Sequence, residues 1–185
     1  ATLEAAIESA LAQTRGDFEL IVWDDGSSDA SPAIARGYAD RDPRVRAFAA
    51  PHRGRVGALV AAVAESDAPF FGILDSDDRL LPDALAATVP VMRSDRDIAI
   101  VYTDHRRIAA DGRVLGPGPF ATVPFTPERL LVDVIVVHFR LFRREIFDEV
   151  GGFDPAYRSA EDYDLVLRMS EAGDIVKVAK VLYEY

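Results

Sequence analysis

The sequence predicts an α/β domain built on a mainly parallel, twisted sheet flanked by helices, and three features predict it. Residues 18–23 and 70–74 are continuous apolar runs, as strands covered on both faces require. Segments of helical periodicity alternate with strand-like ones along the first hundred residues. Both apolar runs end abruptly in clusters of aspartate, and in an open α/β sheet ligands bind just beyond the carboxyl ends of the strands.

The elements follow in order. Leu3, Ile7 and Leu11 recur at helical spacing, so residues 2–13 form an amphipathic helix that breaks at Gly16. Strand 18–23, with Trp23 as core at its end, leads into the polar loop 24–29, where Asp29 stabilises its own turn. Ser31-Pro32 supplies an N-cap followed by proline at the first helical position, and that helix runs to about residue 38. Residues 45–49 form a strand, 54–65 a helix and 70–74 the second buried strand. Asp78 and Asp83 then cap or decorate a helix over 82–92, and 98–102 is another strand. Residues 107–115 form a hairpin turning at Asp111-Gly112, and 116–127 an ordered Gly/Pro-rich loop. Thr126-Pro127 opens a helix to about residue 136. Residues 141–142 are extended, 144–150 helical and 151–154 a turn. Glu161-Asp162 leads into a helix over 163–171, and strands 175–178 and 181–185 follow.

Composition narrows the function. With 185 residues, 49% hydrophobic and 28% charged, this is one domain with a substantial core. The absence of cysteine excludes a disulfide scaffold, thiolate chemistry and a Cys-ligated metal, and fits a reducing compartment. No apolar run reaches the ~18–20 residues of a membrane span, and no signal-peptide pattern opens the chain. The expected location is cytoplasmic, or peripheral at the inner face of the membrane. A formal charge of −10 argues against a nucleic-acid partner, which needs a basic face.

The acidic loops carry the chemistry. Asp24 and Asp25 follow one buried strand; Asp75, Asp77 and Asp78 follow another about 50 positions later, and a shared sheet places both sets in one cleft. Crowded carboxylates cost free energy unless a positive charge sits among them. A divalent cation meets that need, and all-oxygen ligands favour Mg²⁺ or Mn²⁺ over zinc. An isolated Asp-x-Asp, by contrast, is as well explained as a turn or a helix cap.

Four segments taken together are similar to the ordered motifs of family 2 glycosyltransferases: Phe18 through Asp29, Gly72-Ile73-Leu74-Asp75-Ser76-Asp77-Asp78, Gly151-Gly152-Phe153-Asp154, and Ala160-Glu161-Asp162-Tyr163-Asp164-Leu165. A narrower likeness, in Val101-Tyr102-Thr103-Asp104, Asp111-Gly112-Arg113, His138-Phe139-Arg140 and Leu167-Arg168-Met169-Ser170-Glu171, points to bacterial transferases that polymerise chondroitin or hyaluronan.

The resemblance implies a GT-A-type, Rossmann-like domain across residues 1–185, with a nucleotide-binding half at 1–100 and an acceptor and catalytic-base half at 101–185. It implies an inverting transferase that moves a sugar from a UDP-sugar, such as a UDP-N-acetylhexosamine, to a saccharide or other glycan acceptor. By the same resemblance Asp25, with Asp24 beside it, binds uracil. Asp75 faces the ribose or the metal-bound diphosphate, and Asp77 is the principal ligand of Mn²⁺ or Mg²⁺. Asp162 is the general base, and Glu161 and His138 contact sugar or acceptor. A plain structural reading makes Asp162 a cap for the helix at Tyr163 and His138 a packed side chain. Arg53 and Arg55 are within sequence reach of phosphate, but read as solvated.

The chain departs from the family pattern in three places. It starts at the helix after the family's first strand, it has Val60 where the family often has Asn, and it stops before an Arg-x-His whose histidine completes the metal shell. The first strand and the C-terminal end are therefore expected to be missing. The competing readings are a catalytically inactive nucleotide-sugar-binding domain on the same scaffold, a receiver-like phospho-acceptor module, and a nucleotidyl transferase. The acidic pair after a buried strand suits the second, which also needs a late lysine and has only Lys177 and Lys180 to offer, and a Gly-rich phosphate loop is absent for the third.

Overall fold

The computed structural model describes residues 2–157 and 159–185. Its elements are α1 (Thr2–Leu11), β1 (Leu20–Asp24), α2 (Ser31–Ala39), β2 (Val45–Ala49), α3 (Gly54–Ala64), β3 (Phe70–Gly72), β4 (Arg79–Leu80) and α4 (Ala84–Ser94). They continue with β5 (Ile98–Ile108), β6 (Val114–Pro117), α5 (Pro127–Leu130), β7 (Arg140–Arg143), α6 (Arg144–Glu149), α7 (Glu161–Ala172) and β8 (Asp174–Glu184).

The strands form two sheets. β1 and β2 pair in parallel, and a six-stranded sheet runs β3-β7-β5-β8-β4 with β6 on β5. The two longest ladders, β1–β2 and β5–β8, are parallel, as the sequence predicts. The shorter ladders of β7, β4 and β6 are antiparallel, and β5–β6 is closed by a short hairpin.

β5 is the centre of the packing, and its alternation builds two cores. Ile100 and Tyr102, with Phe142 of β7, face Leu165 and Met169 of α7. Val101, with Leu141, faces Met92 of α4 and Leu182. Burying each such side chain contributes roughly 1.5–3 kcal/mol. Arg143, buried on β7, donates to the carbonyls of Met92 (2.5 Å), Asp95 (2.7 Å) and Ile98 (2.7 Å). It thereby satisfies the end of α4, where helix carbonyls lack partners.

Several boundaries differ from the sequence expectation. β5 is eleven residues long, not five. The two strands expected near the end are one, β8, whose register against β5 jumps between Val178 and Val181 and again to Tyr183. That irregularity is what read as a gap. The helix after Thr126 keeps its cap, with the Thr126 hydroxyl accepting from the Arg129 N–H at 3.1 Å, but stops at Leu130. The β-branched run Val132, Val134, Ile135, Val136 and Val137 loses side-chain freedom in a helix, and Ile135 and Val136 are buried as irregular chain. α7 begins at Glu161 after Ala160 in the left-handed region (φ 64°), so Asp162 lies inside the first turn rather than capping Tyr163.

The two sheets are separated by an apolar slot of about 630 Å³, floored by α1 through Leu3, Ile7 and Ala10. In the β1–β2 ladder Leu20 N–H donates to Arg44 O, and Asp24 O accepts from Ala50 N–H. The parallel pattern therefore commits Leu20, Val22 and Asp24 to β2 and leaves the backbone groups of Ile21 and Trp23 on the open edge. On β3, Pro69 O accepts from Arg144 N–H, so Phe71 faces β7 and the groups of Phe70 and Gly72 are open. All four residues line the slot. Its edges and apolar walls fit one further strand, as the sequence expectation of a strand ahead of α1 requires. In residues 1–185 alone, hydrogen exchange is expected to be fast at Ile21, Trp23, Phe70 and Gly72 and slow at Val22 and Phe71. Equal protection on both sets would show that the edges are already paired.

Candidate active site

Four chain segments meet beyond the carboxyl ends of β1 and β3. They are the loop after β1, the start of α3, the acidic loop between β3 and β4, and the start of α7. Asp24 is buried and turned back on its own loop, accepting from Gly26 N–H (3.3 Å) and Ser27 N–H (3.1 Å). Asp25 reaches the start of α3, where its two oxygens accept from Arg53 N–H (2.8 Å) and Gly54 N–H (2.9 Å). The Nδ1 of His52 lies 2.8 Å from the same carboxylate. Unpaired amides and the helix dipole make this a favourable place for an anion. The contact is close: a Cβ on Gly26 (φ +84°) would stand 2.9 Å from the His52 backbone nitrogen, so only glycine fits without strain.

Arg55, in the first turn of α3, joins the remaining segments. Its Nη1 lies 2.9 Å from Asp75 Oδ1 and its Nε 2.7 Å from Glu161 Oε1. A cation at a helix N-terminus opposes the dipole, and the two carboxylates offset that. Burial works against its charge, but Asp75 and Glu161 outweigh burial and keep the guanidinium protonated.

Asp162 is held separately. Arg140, 6% exposed on β7, donates from Nη2 to Asp162 Oδ2 at 3.0 Å, and the Tyr163 N–H donates to Oδ1 at 2.8 Å. Burial raises the carboxyl's affinity for a proton. The charge and hydrogen bond of Arg140, the Tyr163 amide and Arg55 together win, and its pKa falls below the ordinary value.

In the acidic loop Asp75 is partly covered, Ser76 and Asp77 are exposed and Asp78 is buried. Asp77 has no hydrogen-bond partner among the described residues. Asp78 neither caps nor decorates α4; its Oδ2 accepts from the Tyr183 hydroxyl at 2.6 Å. Its carboxyl is pushed up to about 6 by burial, opposed by the Tyr183 bond, raised further by Asp75 and Asp77, and lowered by Arg55. His138 is stacked on Tyr183, centroids 4.8 Å apart and planes 12° from parallel, and also on Tyr185. Burial, then Arg140, pushes its imidazole down to about 4.

Ligand atoms of Asp75, Asp78 and His138 lie within 4.8 Å of one another. Carboxylate oxygen with one imidazole suits Mn²⁺ or Mg²⁺; Asp77, expected from the sequence as the principal ligand, is exposed at the loop tip and outside this cluster. The residues present therefore fit a hard divalent cation.

The family model for "Glycosyl transferase family 2" matches residues 1–151. The chain belongs to this family. It is 33% identical over 181 residues to a chondroitin synthase of Pasteurella multocida (strain Pm70), covering 98% of this chain and 19% of that protein. It is 34% identical over 177 residues to a chondroitin synthase of Escherichia coli, covering 96% of this chain and 26% of that protein. The chain thus spans between a fifth and about a quarter of these relatives' length. A mannosyltransferase of Pyrobaculum calidifontis, solved in complex with GDP-Man and Mn²⁺, superposes with a TM-score of 0.75 over 100% of this chain and 52% of its own, at 20% identity. That likeness supports the GT-A-type fold.

Within this family 2 domain, the structure brings Asp25, Asp75, Asp77, Glu161, Asp162 and His138 to one end of the sheets, while Asp24 turns back on its own loop. Three residues without an assigned role in the sequence expectation complete the site. Arg140 was signalled by a charge between Phe139 and Leu141 in a buried strand, which demands a partner. Arg55 was signalled by a cation at a helix start, whereas Tyr183 gave no local signal, since it meets Asp78 across 105 positions. Val60, where the family often has Asn, is 44% exposed and lies beside Phe147 and Gly151–Phe153, away from the acidic loops.

Two histidines tie stability to pH. His105 is buried with its Nδ1 unpartnered, and burial lowers its pKa, as it does for His138. Both folded values lie below the ordinary 6.5, so as pH falls the unfolded chain takes up protons first. Stability is whole above about 6.5 and is lost from there down through the folded values. Asp78, whose folded value of about 6 lies above the ordinary carboxylate value, gains stability over part of the same window. The histidine part is therefore read by difference: in thermal melts between pH 7 and 4, His105→Gln is expected to lose less stability toward acid than the wild type. A His105→Gln profile that matches the wild type would remove His105 as a contributor.

Proposed function

We propose that this domain is the catalytic unit of an inverting, metal-dependent glycosyltransferase that uses a UDP-sugar. A UDP-N-acetylhexosamine is the donor we favour, with a saccharide or other glycan as acceptor. The observation that carries the reading is the Arg55 bridge: with Asp75 at 2.9 Å and Glu161 at 2.7 Å, it sets the acidic loop and the start of α7 face to face across one cleft. Residues 1–100 then serve the nucleotide and residues 101–185 the acceptor and the base. The relatives named as chondroitin synthases support the choice of donor. A cytoplasmic site, or the inner face of the membrane, goes with such a donor, and no described helix is long and apolar enough to cross a membrane.

In this reading Asp25, with Asp24 holding its loop, lies at the uracil end. Asp77 and Asp75 would hold Mn²⁺ or Mg²⁺, which when bound supplies Lewis-acid stabilisation of charge on the departing diphosphate. Asp162, kept ionised by Arg140, accepts the proton of the acceptor hydroxyl. That oxygen forms its bond to the anomeric carbon as the carbon–phosphate-oxygen bond breaks, and UDP leaves with the electron pair. Attack from the opposite face inverts the centre. Glu161 and His138 flank the sugar or acceptor.

Asp77→Ala in the full chain is expected to abolish metal-dependent UDP binding by titration calorimetry. Asp162→Asn should leave that binding intact and lower transfer by roughly 10²–10⁴-fold, the contribution of a positioned base. Full activity in Asp77→Ala would refute the metal assignment. UDP binding without transfer across a broad donor and acceptor panel would favour an inactive nucleotide-sugar-binding domain.

A further inference from the structure

Asp78 and Tyr183 have no part in the chemistry above, yet they form the most enclosed polar contact of the site. Tyr183 is 0% exposed and Asp78 is 4% exposed. Tyr183 sits on β8 where that strand meets both neighbours, opposite Leu80 of β4 and His105 of β5, so its backbone is fixed from two sides. Its hydroxyl donates to Asp78 Oδ2 at 2.6 Å and lies 3.5 Å from the Asp75 N–H, which points to it. The Asp78 N–H donates in turn to Asp75 O at 3.2 Å. One phenol thus holds both ends of the four-residue loop, while Asp77 stays exposed at its tip. The ring of His138 stacked at 4.8 Å fixes the phenol's plane.

We propose that Tyr183 and Asp78 are a positioning pair, which presets the Asp75–Asp77 loop for the cation, and that Asp78, although one of its oxygens lies with Asp75 and His138 in the possible ligand cluster, is not itself a ligand. This rests on the metal reading of Asp75 and Asp77. Asp78 contributes a hydrogen-bond acceptor, and its charge is dispensable. Exchanging a carboxylate ligand for its amide removes the charge that strengthens its hold on a hard divalent ion, whereas a strut needs only an oxygen aimed at the phenol. Outer-shell partners of this kind typically change metal affinity by about 10–100-fold when lost.

The test uses the full chain and reads the Mn²⁺ concentration that gives half-maximal UDP binding, alongside metal-free melting temperature. Tyr183→Phe keeps the ring on His138 and removes only the hydroxyl; it should raise the Mn²⁺ requirement about tenfold or more. Asp78→Ala should do the same. Asp78→Asn, whose amide oxygen still accepts from Tyr183, should stay within about threefold of wild type. The Tyr183→Phe/Asp78→Ala double variant should be no worse than either alone, as expected of two halves of one interaction. An Asp78→Asn as impaired as Asp78→Ala overturns the proposal and makes Asp78 a ligand. Unchanged Mn²⁺ requirement in both Asp78→Ala and Tyr183→Phe, with only a lower melting temperature, overturns it in favour of a purely structural contact. Should Tyr183→Phe not fold, the contrast between the two Asp78 variants decides alone. Asp77→Ala run in parallel separates the questions: if it keeps metal-dependent UDP binding, the underlying metal reading fails, whatever the Asp78 variants do.

Discussion

Like-charge repulsion is the constraint on which this site is built. Asp24, Asp25, Asp75, Asp77, Asp78, Glu161 and Asp162 gather at one end of the sheets, and crowded carboxylates resist sharing a cleft. Each is relieved differently. Asp24 and Asp25 rest on backbone amides. Asp75 and Glu161 share one guanidinium, and Asp162 has another. Asp78 hands part of its charge density to a phenol. Asp77, at the exposed tip, has no protein partner among the described residues and is left to solvent.

The same partners make the architecture. Arg140 stands on β7, Tyr183 on β8, Arg55 on α3 and Asp162 on α7, so each contact fastens a separate element to the cleft. The central strand β5 carries β7 on one side and β8 on the other, which places two of these anchors at fixed spacing. Packing of Ile100, Tyr102 and Val101 into the two cores therefore sets the geometry of the charged groups on the neighbouring strands, with Tyr102 directly opposite Arg140. Breaking one buried pair by removing a single partner typically costs about 3–5 kcal/mol, because a charge is left alone.

Much of this was legible from residues. The apolar runs at 18–23 and 70–74 located β1 and β3, and the aspartates after them located the cleft, because periodicity and burial are local properties. The acidic start of α7 was visible for the same reason. What was not legible depended on contacts distant in sequence. The bulge in β8 reads as a chain break until β5 is alongside, and α5 ends early because Ile135 and Val136 are wanted in the core. Arg55 read as solvated, since nothing local tells that α7 and the acidic loop arrive on either side of it. Tyr183 is the extreme case, an ordinary strand tyrosine until the fold brings Asp78 to it.

The slot between β1 and β3 has a consequence for behaviour in solution. Two open strand edges facing each other across apolar walls form a template that does not distinguish its own strand from a stranger's. Main-chain hydrogen bonds supply the attraction, and they are the same for every sequence. A chain left with such edges is prone to take up a strand from a neighbouring molecule, and crowding drives that exchange further. Whatever segment properly occupies the slot thus protects the molecule from association as well as joining the two sheets.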